Sequence, residues 1–111
     1  MEPLNTLDLE KLARDRLNAM TWGYYASGAR SMSTLVDNER AWLRWRLRPR
    51  VLRDVSARSM RTTALGQPVA APLLIAPMAF QRLAHDDGEL ATARAAAAAG
   101  SIMILSSLAT R

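Results

Sequence analysis

The sequence has no cysteine and a single histidine, His85. The first absence excludes a disulfide framework, a thiolate metal site and a cysteine nucleophile. The second, with no carboxylate-rich ligand spacing either, leaves no metal-binding pattern. There is no GxGxxG run and no Walker-type phosphate loop, so neither common nucleotide fingerprint applies. The apolar runs are short and are broken by Pro72, Pro77 and Gly100, so none can span a bilayer. The N-terminus, MEPLNTLDLEKLARDRL, carries acids and an amphipathic pattern where a signal peptide has a basic region and an apolar core. A cytoplasmic protein is the default expectation. Repeats, linkers and low-complexity tracts are also missing, apart from one alanine-rich stretch.

What is present is a chain of 111 residues, half of them hydrophobic, with a net charge of +5. Arginine supplies 14 of the 15 basic residues. The composition is that of a folding chain, and the length allows one small domain at most.

The stretch Leu73–Ser107 organises the rest. Leu73–Ala76 is a short apolar run closed by Pro77, which reads as a strand and its end. Asp86-Asp87-Gly88-Glu89 reads as a helix start. An acid at the cap accepts from unpaired N–H groups, and Glu89 stands three residues after Asp86, the capping-box spacing. Ala91–Ala99 is nearly continuous in the best helix former, and Gly100 suits a left-handed helix end. Ile102–Leu105 is a second apolar run, closed by Ser106 and Ser107. Strand, helix and strand make a parallel, right-handed βαβ unit whose functional surface lies beyond the strands' carboxyl ends. That surface is Pro77–Phe80 and Ser106–Leu108. Two parallel strands need neighbours on both edges, and the sequence stops at Ala109-Thr110-Arg111 with no helix following. The expectation is therefore the front part of a longer protein.

Upstream, Leu4–Ala19 predicts a first helix, capped by Asn5, Thr6 or Asp8, with Leu9, Leu12, Ala13, Leu17 and Met20 at helical spacing. Trp22–Gly28 is an aromatic patch whose plain reading is local packing. Ser33–Trp45 predicts a second helix with Leu35, Trp42 and Leu43 inward. Arg44–Arg53 is the most basic run. Beside Trp42 and Trp45 it could serve nucleic acid, but its alternation fits better an extended segment whose arginine stems cover apolar surface. Val51–Val55 and Thr62–Leu65 predict two short strands, and Gly66-Gln67-Pro68 a turn. His85 reads as a satisfied loop residue, and Asp86, Asp87 and Glu89 as capping groups, not catalytic carboxylates.

A series of short motifs runs through nearly the whole chain: Tyr24-Tyr25-Ala26-Ser27-Gly28-Ala29, Arg48-Pro49-Arg50-Val51-Leu52, Ile75-Ala76-Pro77-Met78-Ala79, Leu83-Ala84-His85, Gly88-Glu89, Ala91-Thr92-Ala93-Arg94-Ala95-Ala96, Ala98-Ala99-Gly100 and Leu105-Ser106-Ser107. Together they resemble the FMN-dependent α-hydroxy-acid oxidases and dehydrogenases, the glycolate and L-lactate oxidase group. The resemblance implies an α/β fold, the N-terminal portion of a (β/α)8 TIM barrel: N-terminal helices, a bottom hairpin over Val51–Leu65, and the first two barrel strands. Residues 1–111 would be the first part of an FMN hydroxy-acid dehydrogenase domain. The implied reaction oxidises a 2-hydroxy acid to the 2-oxo acid with FMN as cofactor and oxygen or another electron acceptor, in a homo-oligomer when full length.

By the same resemblance, Tyr24 binds the substrate carboxylate, and Pro77, Met78 and Ala79 form a loop against the flavin ring. Ser106 hydrogen-bonds the flavin. Leu108 stands where plant glycolate oxidases have a tryptophan near the substrate, and Phe80 replaces a smaller or more flexible residue. Leucine leaves more room, which implies a substrate larger than glycolate, such as L-lactate or a longer 2-hydroxy acid. The family's catalytic histidine, substrate-binding arginine, flavin lysine and phosphate loops belong to later strands, so no catalytic residue is expected among these 111. The isolated chain is expected to be inactive and prone to aggregate. Two alternatives stay open: a non-catalytic remnant or interaction module, and, last, nucleic-acid binding by the basic run.

Overall fold

The computed structural model describes residues 2–110. The chain divides into two units, Met1–Arg53 and Asp54–Arg111.

The first unit is helical. Helix α1, Thr6–Arg16, starts at Asn5, whose side chain accepts from the Asp8 N–H at 3.0 Å. It stops short of the expected end because Leu17 is already extended. A second start follows at once: Asn18 accepts from the Thr21 N–H at 2.9 Å and opens α2, Ala19–Ala26. A second helix thus follows the predicted one, and most of the aromatic patch belongs to it. An asparagine in each cap position is the cause, since its side-chain oxygen satisfies an otherwise unpaired N–H. Helix α3, Ser33–Trp42, has Met32 at its N-cap in a left-handed conformation. Leu35, Trp42 and Leu43, expected to point inward, are 39%, 77% and 75% exposed. A helical apolar stripe marks a face that favours cover; it does not specify that this chain supplies the cover.

After α3 the chain carries no regular structure through the basic run. Leu47, Val51 and Leu52 are almost wholly exposed, so the arginine stems there do not shield apolar neighbours, contrary to expectation. Arg44 instead pairs with Asp37 at 2.8 Å across exposed surface.

In the second unit the expected strand over residues 51–55 is absent and the hairpin lies further on. Leu52 has φ of 57°, which breaks an extended run. Asp54 accepts from the Ser56 N–H at 2.9 Å, an Asx turn that holds its carboxylate below its ordinary pKa. Strands β1, Thr62–Ala64, and β2, Gln67–Val69, pair antiparallel with Thr62 opposite Val69 and Ala64 opposite Gln67. The turn is Leu65-Gly66, with φ of 52° and 75°, the two positive values of a type I′ turn. Gln67 and Pro68, expected in the turn, belong to β2. A two-stranded hairpin has only edge strands, so a proline without an N–H is tolerated there.

The βαβ reading holds in its connectivity. Ile75 and Met103 form a parallel bridge: the Ile75 N–H donates to the Ile102 carbonyl at 2.9 Å, and the Ile104 N–H to the Ile75 carbonyl at 3.0 Å. The pairing is one bridge, not two full strands. Between the paired segments lie a 3-10 turn, Gln81–Leu83, and helix α4, Gly88–Ala98. Helix α4 ends as predicted at Gly100, φ 64°. The Ser101 N–H reaches the Ala96 carbonyl and the Gly100 N–H that of Ala97, the two bonds of a Schellman motif. Of the alanine run only Ala96 is fully buried, so close packing on a sheet accounts for one side of the helix alone.

Candidate functional site

The expected site residues fall in both units. Tyr24 lies in α2, 47% exposed, its ring edge-on to Tyr25 with centroids 5.3 Å apart. Aromatic pairs favour that geometry, and it keeps the phenol on the surface.

Pro77, Met78, Ala79, Ser106 and Leu108 are all in the second unit. Three ties set the register of the segments leading to them. The Ala70 N–H donates to the Gly100 carbonyl at 2.8 Å, joining the end of β2 to the end of α4. The Ser101 hydroxyl donates to the Leu73 carbonyl at 2.6 Å. The Ile75–Met103 bridge follows. Beyond it both segments turn into loops, and one more backbone bond joins them: the Phe80 N–H donates to the Leu108 carbonyl at 3.1 Å. The structure thus brings together the two loops that the sequence nominated as one surface. Phe80 is left-handed, φ 57°, and turns the chain from the first loop into the 3-10 turn.

At the loops themselves, Pro77 and Met78 are exposed and Ala79 half-buried. The Ser106 oxygen accepts from the Leu108 N–H at 3.1 Å, a local turn, and a hydroxyl in that role keeps its own hydrogen to donate. These residues offer exposed backbone, one small side chain, apolar surface and a hydroxyl. That set fits one edge of a planar heteroaromatic ring with polar atoms on its rim. An open concavity of about 630 Å³ lies between α4 and residues 103–109, lined by Leu90, Ala93, Met103, Leu105 and Ser106 among others. It includes Ser106, but Pro77, Met78, Ala79 and Leu108 do not line it. It is an uncovered apolar face beside the loops, not the loop site itself.

The residue that sequence reasoning misread is Glu89. It is buried, and it does not form the expected capping box with Asp86: the N-cap of α4 is Asp87, whose side chain makes no capping bond. The Glu89 carboxylate instead accepts from the Gln81 N–H at 3.1 Å, the Thr110 N–H at 2.9 Å and the Thr110 hydroxyl at 3.0 Å. Burial pushes its pKa up. The Thr110, Glu89 and Gln81 N–H groups and the Thr110 hydroxyl outweigh that and hold it at about 2. Gln81 is buried as well; its amide reaches the Met78 carbonyl at 3.4 Å and takes a bond from the Thr92 hydroxyl at 2.5 Å. The Arg82 N–H donates to the Thr110 hydroxyl oxygen at 3.1 Å. His85 is a satisfied loop residue, its Nδ1 accepting from the Asp87 N–H at 3.1 Å. Among the described residues no group of three or more His, Cys, Asp or Glu could hold a metal ion, and no helix is long and apolar enough to cross a membrane.

Comparison with known proteins points the same way. The profile of a family described as FMN-dependent dehydrogenase matches residues 13–111. An L-lactate oxidase of Nostoc sp. strain PCC 7120 is 53% identical over 109 residues, 98% of this chain and 30% of the relative. Glycolate oxidase 3 of Arabidopsis thaliana is 52% identical over 110 residues, 99% of this chain and again 30% of the relative. A soluble mutant of the membrane-associated (S)-mandelate dehydrogenase from Pseudomonas putida superposes with a TM-score of 0.91 at 35% identity, over 99% of this chain and 32% of that one. The chain therefore spans about 30% of the length of the curated relatives it matches.

Proposed function

The chain belongs to the FMN-dependent dehydrogenase family, and on that premise we propose that the protein oxidises a 2-hydroxy acid to the 2-oxo acid, with residues 1–111 as the opening part of its barrel domain. The observation that carries this reading is the Phe80–Leu108 bond, which sets the loop of Pro77, Met78 and Ala79 beside that of Ser106. The βαβ connectivity and the parallel bridge support a (β/α)8 barrel, in which such loops form the functional end.

Pro77, Met78 and Ala79 hold the flavin ring through backbone groups, the small Ala79 side chain admitting close approach. Ser106 donates its hydroxyl hydrogen to the ring's polar rim. When bound, FMN supplies the acceptor for the hydride equivalent released from the substrate, and oxygen or another acceptor then takes the electrons. Tyr24 donates to the substrate carboxylate; a neutral phenol can orient an anion without titrating near pH 7. Leu108, 55% exposed, leaves room beside the substrate, which favours L-lactate or a longer 2-hydroxy acid over glycolate. The family names support the chemistry, since the relatives include an L-lactate oxidase and glycolate oxidases.

The test uses the intact polypeptide that carries these residues. It is expected to take up FMN, read by quenching of flavin fluorescence, and to show a higher kcat/KM for L-lactate than for glycolate. No uptake of FMN refutes the assignment. A clear preference for glycolate refutes the role given to Leu108.

A further inference from the structure

We infer that Glu89 is the positioning residue of the flavin-facing loops: one buried carboxylate, carried by α4, holds residues 77–83 and residues 106–110 in a common pose. The inference rests on the flavin reading above and deepens it.

Each loop presents a backbone N–H to the same carboxylate, Gln81 from the first and Thr110 from the second. The Thr110 hydroxyl donates to it too and accepts from the Arg82 N–H, so the second loop is bonded back to the first. The Gln81 side chain extends the tie to the Met78 carbonyl, inside the loop assigned to the flavin ring. The Phe80–Leu108 bond closes the circuit beside the proposed ring site. Three donors converge on one group that only accepts. An ionised carboxylate meets that demand, Oε1 taking both backbone N–H groups and Oε2 the hydroxyl; a methionine thioether of similar length, at best a weak acceptor, does not. A change to methionine therefore leaves the Gln81 and Thr110 N–H groups without that acceptor while roughly keeping side-chain volume.

Glu89 touches neither substrate nor flavin in this account, so its effect must be read at the flavin and at the loop amides. In the intact flavoprotein, Glu89→Met is expected to weaken FMN binding about tenfold, because two buried N–H groups lose their acceptor in the loop pose. It is also expected to change the flavin's visible circular dichroism and speed amide exchange at Gln81 and Thr110. Thr110→Val, which deletes one donor, moves the same readouts less, and Thr110→Ser, which keeps it, restores them. Asp86→Asn, a neighbouring exposed acid, leaves all of them unchanged. Wild-type FMN affinity and dichroism in Glu89→Met overturn the proposal. If that variant does not fold, the Thr110 pair decides, and equal FMN affinity of the valine and serine variants overturns it. Should the wild type itself take up no FMN, the flavin reading fails first, and the failure is told apart because it precedes any substitution.

Discussion

Substituting Gly100 by alanine separates two costs that glycine removes at once. Gly100 has φ of 64°, and a Cβ built there lies 2.9 Å from the Cβ of Ala70. The left-handed conformation costs an L-residue about 1–2 kcal/mol. The contact is closer than side chains tolerate, and relieving it means shifting the end of β2 from the end of α4. Overpacking of that kind costs about 1–3 kcal/mol. It also strains the bond from the Ala70 N–H to the Gly100 carbonyl. Against this, alanine narrows the unfolded ensemble, which returns about 0.4–1 kcal/mol. The net destabilisation of Gly100→Ala is about 1–4.5 kcal/mol.

Gly66 is the internal control. Its φ of 75° carries a similar conformational cost, but nothing lies within 4 Å of its added Cβ. Gly66→Ala is therefore expected to cost about 0–1.5 kcal/mol. The assay is urea unfolding of the intact polypeptide followed by far-ultraviolet circular dichroism, with unchanged m-values as the check that only stability moved. Adding Ala70→Gly to Gly100→Ala completes a double-mutant cycle. It should recover the contact but not the conformational part, a coupling of about 1–3 kcal/mol. A coupling under about 0.5 kcal/mol refutes the reasoning, because the 70–100 contact then carries no strain. So does a Gly100→Ala variant no less stable than Gly66→Ala. The point matters for the site, because this contact is the first of the ties that set the register of the Ile75–Met103 bridge.

Two further outcomes follow from the same geometry. Leu65 is 74% exposed and holds φ of 52° at the first central position of a type I′ turn, where asparagine is favoured; Leu65→Asn should stabilise the hairpin by about 0.5–1 kcal/mol, measured as a rise in the urea midpoint, and a fall would count against the turn assignment. Glu89 is lowered from its ordinary 4.5 to about 2, so its contribution to stability is complete above pH 4.5 and is lost as pH falls from there towards 2. Glu89→Gln should lack that acid limb, and an identical limb in both proteins would show that another carboxylate is responsible.

The sequence disclosed what depends on near neighbours and concealed what depends on distant ones. Gly100 after an alanine run was legible as a left-handed helix end because the Schellman bonds join residues at most five apart. The meeting of the loops at residues 77–80 and 106–108 was legible because apolar runs on either side of a helix imply parallel strands with a shared carboxyl end. Asn18 was an available signal that went unread: an asparagine inside an apparently continuous helical stripe is a second cap as readily as a solvent-facing interior residue. Residues 51–55 misled because a short apolar run describes side chains, whereas the positive φ of Leu52 and the Asx turn at Asp54 are decisions of the backbone.

Glu89 is the most instructive case. Asp86-Asp87-Gly88-Glu89 fits a capping box by spacing alone, and every local argument favours an acid in the first helical turn. The competing partner is Thr110, 21 residues away along the chain. It reaches the carboxylate only because the 75–103 pairing returns the chain to the start of α4. Once there, two backbone N–H groups and a hydroxyl outbid a cap that water can serve equally well, since a helix end at the surface can lose its side-chain cap at little cost while buried donors cannot go unpaired. The acid was therefore committed by tertiary topology, and any reading that stops at the helix start will assign it to the wrong bond.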